Sequence, residues 1–597
     1  MYISENVNGK YCYVCETVWD KSGKKYSTPG KCIGQIGPDG TLIPNRFLSQ
    51  LFYAESTNIQ GLSEYERHII ETVTCKYGES VKGGAAKPPP KALSEDDIMT
   101  ARAVFMGPEM VFGAITKRYR IGSLLEKSFG EQIAKDIQSL AWYVASEGSA
   151  LSDSDVWLDV FENPRGSAMS SQDISRLLGA IDYDGMMTFY KLWLKEAARH
   201  SDKADKILYD LTSISYYGSS IDAAEYGYNR DHESLPQVNY ALLCMRSTAM
   251  PLFAWTLNGS IMDMATLDTT LQFLRKLQYA PDCLMMDRGF GSKDNISGLF
   301  KNGHTFLQAV KVNANWIFDV IDASEGLRFV PDSKIEDGGR TYYASTSDCR
   351  WVRVKNGKGK ESVIVHICGG SARDKYVSGE EGVTVIAQHP CRVHILFCQD
   401  LVGNQHDRFM DKLKVERDRL VADESAEPKK EYAKYIKVYR KKYARHRTVE
   451  YDAETIAGHK NKYAGHICFI TNDKSIETAW DALQEYSTRD YIEKDFDEMK
   501  NCLDMKRIRV WSDFRMRSRL FIQFIAEIYM REIRVCLRKS KECKKLTRKQ
   551  IFSNIKSIYR VRFKGKYRDV YPDLTKQQRH ILEALSIDYG GGYTYNP

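Results

Sequence analysis

Long hydrophobic runs are missing from this chain. No stretch of its 597 residues approaches the roughly 18 uncharged apolar residues that a membrane span needs, so a transmembrane helix is not expected. A secretion signal is missing as well. The opening MYISENVNGKYCYV carries an acid and alternates in character, with neither a basic start nor an apolar centre, and the protein is expected to remain inside the cell. No GxxxxGK phosphate loop occurs, which removes the usual sign of ATP use. The 14 cysteines are scattered from Cys12 to Cys543 rather than gathered into a dense, even framework, and they read as reduced thiols. Cys12 and Cys15 make one CxxC, yet no second pair of ligands follows at zinc-finger spacing, and one pair supplies only half of a tetrahedral set.

What is present fits a large globular protein. The length suggests about three to five units, and 43% hydrophobic with 27% charged residues is an ordinary balance for a packed core. The formal charge of +8 is modest, but its excess is local. Lys and Arg outnumber acids from His406 to Arg447, where Tyr432, Tyr435, Tyr439 and Tyr443 are interleaved, and again from Lys500 to Arg548. Such stripes suit a polyanion whose phosphates they neutralise; a solvated helix face fits each stripe equally well.

The pattern along the chain divides it. Residues 1–78 read as a small β-hairpin unit followed by a helix, and 79–92 as a linker, because VKGGAAKPPPKAL holds two glycines and three consecutive prolines that cannot continue a helix. Residues 93–204 show helical periodicity, with Lys117, Arg118 and Arg120 near a glycine-bounded turn. A helix-turn-helix DNA reader and plain packing helices both fit that stretch. From 205 to 312 the runs KILYDLTSISYYG, VNYALLCMRS, MPLFAWTLNG, DCLMMDRGF and HTFLQAVKV predict five strands, with a helix at 264–279 between the third and fourth. A meander of three strands, a helix and two more strands is the order of an RNase H-like α/β sheet. Residues 313–462 read as a β-rich insertion ending in a basic, tyrosine-studded helix over 406–447. Residues 463–535 return to the core with the strand HICFITN and a long helix from 475 to 505, and 536–597 form a helical tail.

Three acids carry candidate chemistry. Asp210 sits inside an otherwise apolar strand, where an unpaired charge costs several kcal/mol. Asp287 closes the apolar run CLMM, just before Arg288. Singly, each is more simply a cap or an ion-pair partner; on neighbouring strands of one sheet they become candidate ligands for hard divalent ions. Glu493 arrives in a spaced set: at 100° per residue Tyr486, Arg489, Glu493 and Lys500 fall within an arc of about 60° on one helix face. There a glutamate can ligate a metal while the cations and the phenol hold phosphates, although an Arg489–Glu493 surface pair is the simple alternative.

That set, Tyr, two residues, Arg, three, Glu, six, Lys, resembles the signature of transposases of the insertion-sequence-4 superfamily, and all four residue types match at full spacing. YDLTSISYYG, EYGYNRDHESLPQVNYALLC with MPLFAWTLNGSIMD, and DCLMMDRGFGSKDNISGLFKNGHTFLQAVK resemble the first and second carboxylate regions of this group. GKYCYVCETVWDKSGKKYS resembles its amino-terminal hairpin and LTKQQRHILEAL its tail. The chain departs from the family where Ser260 follows Gly259 and where Asp497 follows Phe496. The resemblance implies a DDE transposase with an RNase H-like core interrupted by a β-rich insertion domain, in which Asp210, Asp287 and Glu493 bind two Mg²⁺ (or Mn²⁺) ions. It further implies DNA contacts from Tyr486, Arg489, Lys500 and Arg288, and makes Trp316 a counterpart of an insertion-domain tryptophan that holds a flipped base. The partners it implies are transposon ends and target DNA, engaged by a homodimer in a synaptic complex without any membrane. The setting it implies is the cytoplasm of a bacterial or archaeal cell, near the nucleoid. A domesticated DNA-binding regulator and a nuclease of the same fold that does not join strands are the alternatives.

Overall fold

The computed structural model describes the chain apart from residues 6–10, 20–21, 28–29, 38–39, 57–61, 79–94, 202–204, 232, 313, 369–382, 441–444, 458–462, 490–495, 497–499, 502, 504, 564–568 and 589–597. The linker expected at 79–92 and the candidate ligand Glu493 lie outside the described residues. The protein is mixed α/β and falls into two compact units, Met1–Arg102 with Arg562–Asp569, and Ala103–Val561 with Val570–Pro597. Among the described residues no helix is long and apolar enough to cross a membrane.

The smaller unit carries a four-stranded antiparallel sheet with Tyr2–Glu5, Tyr11–Cys15, Lys31–Ile36 and Leu42–Pro44 side by side. The alternation in YCYVC turns Cys12 and Val14 inward against Ile33, Leu42, Leu48, Ile69 and Val73. Helix Glu64–Tyr77 opens on a capping box between Ser63 and Glu66, and its last residue, Tyr77, sets its hydroxyl 2.9 Å from Cys12 Sγ. The first cysteine of the CxxC therefore serves the core.

In the larger unit the helical region contains α1 (Gly107–Tyr119), α2 (Ile121–Phe129), α3 (Glu131–Glu147), α4 (Ser171–Ala180) and α5 (Tyr183–Ala197). Two of its cations are tied to acids of this unit, while Lys117 and Arg120 remain exposed. Arg118 pairs with Glu532 and donates to the Leu585 carbonyl at 2.8 Å, and Arg120 pairs with buried Glu196. α1 packs on the core through Val111, Phe112 and Ile115, and of the cations that a helix-turn-helix reading would turn toward DNA, Arg118 is the one drawn into that packing.

All five apolar runs form strands: β1 (Ile207–Ser215), β2 (Gln237–Met245), β3 (Pro251–Asn258), β4 (Leu284–Met286) and β5 (Phe306–Val310), with α6 (Asp263–Lys276) before β4 and α7 (Lys293–Lys301) after it. They lie in the order β3-β2-β1-β4-β5. β1 to β3 form an antiparallel meander, and β4 runs parallel to both β1 and β5. Every residue of β1 and β2 is buried, which is why these strands read as continuous apolar runs rather than alternating ones. Tyr209 bonds Thr266 and Thr270 of α6 on one face. Elsewhere β3 packs against α5 and against α10 (Asp513–Lys539), a helix buried along most of its length.

The segment read as an insertion differs from expectation in two ways. Its long strands β6 (Arg340–Asn356) and β7 (Val383–Phe397) continue the central sheet, because β10 (His466–Thr471) pairs with β5 on one edge and β7 on the other. The sheet reaches ten strands. The basic helix is also shorter than 406–447. α8 spans Gln399–Ala422 and is followed by a hairpin of β8 (Ile436–Tyr439) and β9 (Thr448–Tyr451). Arg447 donates to the Leu420 carbonyl, left open by the helix end, at 3.1 Å and to the Ala426 carbonyl of the following turn at 2.7 Å. Tyr435 is buried with Leu413, Leu420 and Val449 in a small core, while Tyr443 lies outside the described residues.

The helix expected over 475–505 is interrupted after Ser487; beyond the turn at 488–489 most of 490–504 lies outside the described residues, and Phe496, Lys500 and Asn501 are again helical. α9 spans Ala479–Ser487, and the hydroxyls of Ser487 and Thr488 donate to the Gln484 and Glu485 carbonyls at 2.8 and 2.6 Å, competing with main-chain continuation. The tail likewise includes a strand, Tyr559–Arg562, between α11 (Arg548–Lys556) and α12 (Lys576–Ala584).

Glu416 on α8 is the polar keystone of the small core. It receives Arg419 Nη2 at 2.6 Å and the Lys429 amide at 2.9 Å, and these bonds hold its carboxyl down at about 2 despite burial. A depressed folded pKa stabilises above the unfolded value and loses that contribution as pH falls from about 4.5 toward 2. Glu416→Gln is therefore expected to destabilise this subdomain at pH 7 by on the order of 2 kcal/mol, with the deficit shrinking below pH 4. Amide exchange across 413–449 at both pH values checks this; a deficit independent of pH contradicts it.

Candidate active site

The pairing of β4 with β1 puts Met286 opposite Tyr209, so one step further Asp287 stands beside Asp210 on a strand roughly 4.8 Å away. Residues 77 positions apart in sequence become neighbours because β4 enters parallel to β1. Asp287 lies just past the carboxyl end of β4, where open α/β sheets place ligand crevices, and its carbonyl is fixed by Gln308 Nε2 of β5 at 2.7 Å.

One cation serves both acids. Arg489 Nη2 lies 2.8 Å from Asp210 Oδ2 and 3.5 Å from Asp287 Oδ2. Tyr486 donates its hydroxyl to Asp287 Oδ1 at 2.7 Å, and the Leu211 amide donates to Asp210 Oδ1 at 2.8 Å. Burial pushes the Asp210 carboxyl above the usual carboxylate range, with Asp287 adding to the rise, and Arg489 and the Leu211 amide only partly offset this. Burial acts on Asp287 too, but there Arg489, the Tyr486 hydroxyl and the Arg288 amide outweigh it and bring the carboxyl down. Burial and the nearby Asp287 raise the Tyr486 phenol, which stays a donor. Two adjacent carboxyls with opposite shifts are a mark of functional sites.

Both acids open onto a cleft of about 880 Å³ whose walls, among the described residues, carry five cations, Arg230, Arg288, Lys311, Arg489 and Lys500, and three carboxylates, Asp210, Asp231 and Asp287. Arg288 is largely exposed, its Nε 4.0 Å from Asp287 Oδ1. Lys500 holds Asp231 through both carboxylate oxygens, at 2.7 and 2.8 Å. Tyr486, Arg489, Arg288 and Lys500 thus gather at the aspartates or on the same cleft. Trp316 does not: it is half-buried, edge-on to buried Trp351 with ring centroids 5.1 Å apart, and absent from the cleft wall. An aromatic packed against a core neighbour lacks the two free faces that base stacking uses. Ser260, where the chain departs from the family pattern, lines the cleft and is held by Glu225, and Phe496 is buried in its wall.

Sequence reading missed Arg230, Asp231 and Lys311. The first two belong to an irregular loop, where periodicity says nothing, and Lys311 follows β5 without any spaced partner; only the fold brings them to the cleft.

Hard carboxylate oxygens are the donors that Mg²⁺ or Mn²⁺ take, and Asp210 and Asp287 already converge on one positive group, so this pair fits a divalent ion. Among the described residues no group of three or more His, Cys, Asp or Glu side chains gathers round a single point; the third candidate, Glu493, is outside them.

No family model and no curated protein matches the sequence. Among solved structures, a piggyBac transposase synaptic complex with hairpin DNA aligns at a TM-score of 0.21 and 12% identity, over 45% of this chain and 54% of that one. At that level the likeness carries no argument about this protein.

Arg489→Gln removes the shared cation from two partly buried acids, a change expected to destabilise the protein by about 3 kcal/mol at pH 7. Both folded carboxyl pKa values then rise, so the penalty is present at neutral pH and is relieved as pH falls through them. Calorimetric Tm differences from the unsubstituted protein are expected to narrow between pH 7 and pH 4.5; equal differences contradict the shared-cation arrangement.

Proposed function

We propose that the chain is a DNA transposase of the DDE type with an RNase H-like core, and that Asp210, Asp287 and Glu493 hold a pair of Mg²⁺ or Mn²⁺ ions. The carrying observation is the meeting of Asp210 and Asp287 around Arg489 in a cleft whose described walls carry five cations. The strand order β3-β2-β1-β4-β5, with a helix before β4, supports the core assignment. The residue types and intervals from Tyr486 to Lys500, which resemble the insertion-sequence-4 signature, support Glu493 as third ligand.

When bound, the ions supply Lewis acidity to an attacking and a leaving oxygen of a phosphodiester. The chain's own residues do the rest. Arg489 and Tyr486 fix the carboxylate oxygens and keep the aspartates from repelling each other apart. Lys500, Lys311, Arg230 and Arg288 offer charge to phosphates along the strand, with Lys500 exchanging Asp231 for a phosphate oxygen as DNA enters. Cleavage of the element's ends, followed by attack of the freed 3′-hydroxyl on target DNA, needs no covalent link to the protein. Joining two ends calls for two copies of the chain in one synaptic complex.

The test supplies Mg²⁺, pre-cleaved end DNA and a supercoiled target. Joined products are expected from the unsubstituted protein, whereas Asp210→Asn, Asp287→Asn and Glu493→Gln are each expected to lower joining by at least about 10³-fold, as for removal of a central electrostatic group, while end binding persists. Hydrolysis without joining would identify a nuclease, and binding without either reaction a regulator.

A further inference from the structure

The loop that joins β1 to β2 carries three largely exposed tyrosines, Tyr217, Tyr226 and Tyr228, at 71, 72 and 72%. Tyr217 is engaged: the Arg507 guanidinium lies over its ring, 5.1 Å from the centroid. Tyr228 lines the carboxylate cleft together with Asp210, Asp287 and Arg230, and Tyr226 is separated from it by one glycine. A lone exposed aromatic is ordinary on a protein surface. Two that flank a single residue at the wall of a substrate cleft are not.

The main chain beneath the two rings is held on every side. Glu225 and Gln237 exchange main-chain hydrogen bonds at 3.0 Å in both directions, and buried Gln237 donates its Nε2 to the Tyr228 carbonyl at 2.8 Å. The Glu225 carboxylate accepts from Asn258 Nδ2 and the Ser260 amide at 3.0 and 3.2 Å. Gly227 presses so closely on the turn after β3 that a β-carbon there would lie 2.1 Å from the Gly259 carbonyl oxygen, an approach that only glycine allows. Beyond Tyr228, buried Asn229 accepts from the Asp231 and Glu233 amides at 2.8 and 3.3 Å. A fixed backbone thus presents two rings to solvent, and little ordering entropy remains to be lost when a flat group stacks on them. Cα atoms two residues apart are at most about 7 Å from each other, so the pair serves one base or two adjacent ones.

We propose that Tyr226 and Tyr228 form a stacking platform for unpaired bases, which makes the cleft select a single-stranded stretch of DNA over a duplex. The inference rests on the reading of DNA as substrate and adds which form of DNA the cleft takes. Bases inside a duplex are stacked on their own neighbours and offer side chains only their edges. An unpaired base exposes its π-faces, which aromatic residues accept whatever the base. Arg230, Arg288 and Lys311 on the walls of the same cleft supply charge complementary to the backbone of such a strand.

The experiment follows, by anisotropy, binding of the full chain in EDTA to a labelled single strand of about 12 nucleotides and to the duplex of the same sequence. The unsubstituted protein is compared with Tyr226→Ala/Tyr228→Ala and with Tyr226→Phe/Tyr228→Phe. Both positions are exposed, so the fold is expected to persist, and thermal unfolding checks this. The alanine pair is expected to lower affinity for the single strand by about tenfold or more, and the phenylalanine pair to keep it. Duplex affinity, carried by phosphate contacts, is expected to change little in either. Single-strand affinity that is unchanged in the alanine pair, that falls equally with duplex affinity, or that is lost in the phenylalanine pair as well overturns the platform and leaves DNA standing as substrate. No binding of either form overturns both the platform and the reading beneath it. A changed sedimentation coefficient in the alanine pair with strand binding intact assigns the rings to a contact between two copies of the chain, and likewise overturns the proposal.

Discussion

Two carboxylates set side by side in a packed sheet need a positive partner, and much of the larger unit is organised round that requirement. Parallel pairing of β4 with β1 forces Asp287 against Asp210. Their mutual repulsion and burial would unfold the site unless a cation reached both. Arg489 reaches them from beyond the end of α9, and α9 is placed by β10, which is locked between β5 and β7. A segment some 200 residues downstream in sequence therefore closes a site laid out by the first strands of the sheet.

Among the described residues the cleft walls carry more cations than carboxylates. Arg489 is bonded to the aspartates and Lys500 to Asp231, and Arg288, Arg230 and Lys311 also line the walls. A polyanion entering such a cleft meets cations already positioned, and a divalent ion meets two oxygens already converged. The proposed DNA strand cleavage and joining depends on that juxtaposition of converged carboxylates and cations.

The five core strands and the helix before β4 were legible in the sequence because burial on both faces leaves runs such as ILYDLTSIS with few readings other than a central strand. Asp210 and Asp287 stood out because each interrupts or ends such a run, and Tyr486, Arg489 and Lys500 because their spacing is regular. Other features depend on contacts between distant residues. That β6 and β7 extend the central sheet is decided by the two edges of β10, which no local pattern reveals. Charge and tyrosine content suggested one helix over 406–447, yet Glu416 and Arg447 fold that segment back into a hairpin with Tyr435 in its core. Trp316 carried a functional expectation, but its half-buried position against Trp351 is set by the sheet extension. Arg118 and Arg120 looked available to DNA until Glu532 and Glu196, hundreds and tens of residues away, claimed them.

Iron-directed hydroxyl-radical cleavage of the protein tests the central claim most directly, because Fe²⁺ in a Mg²⁺ site cuts the backbone beside its ligands. The account predicts three cuts, near Asp210, near Asp287 and near Glu493, all suppressed by excess Mg²⁺ and lost together in Asp210→Asn. Cuts at the two aspartates without one near Glu493, or no Mg²⁺-suppressible cutting at all, would contradict it.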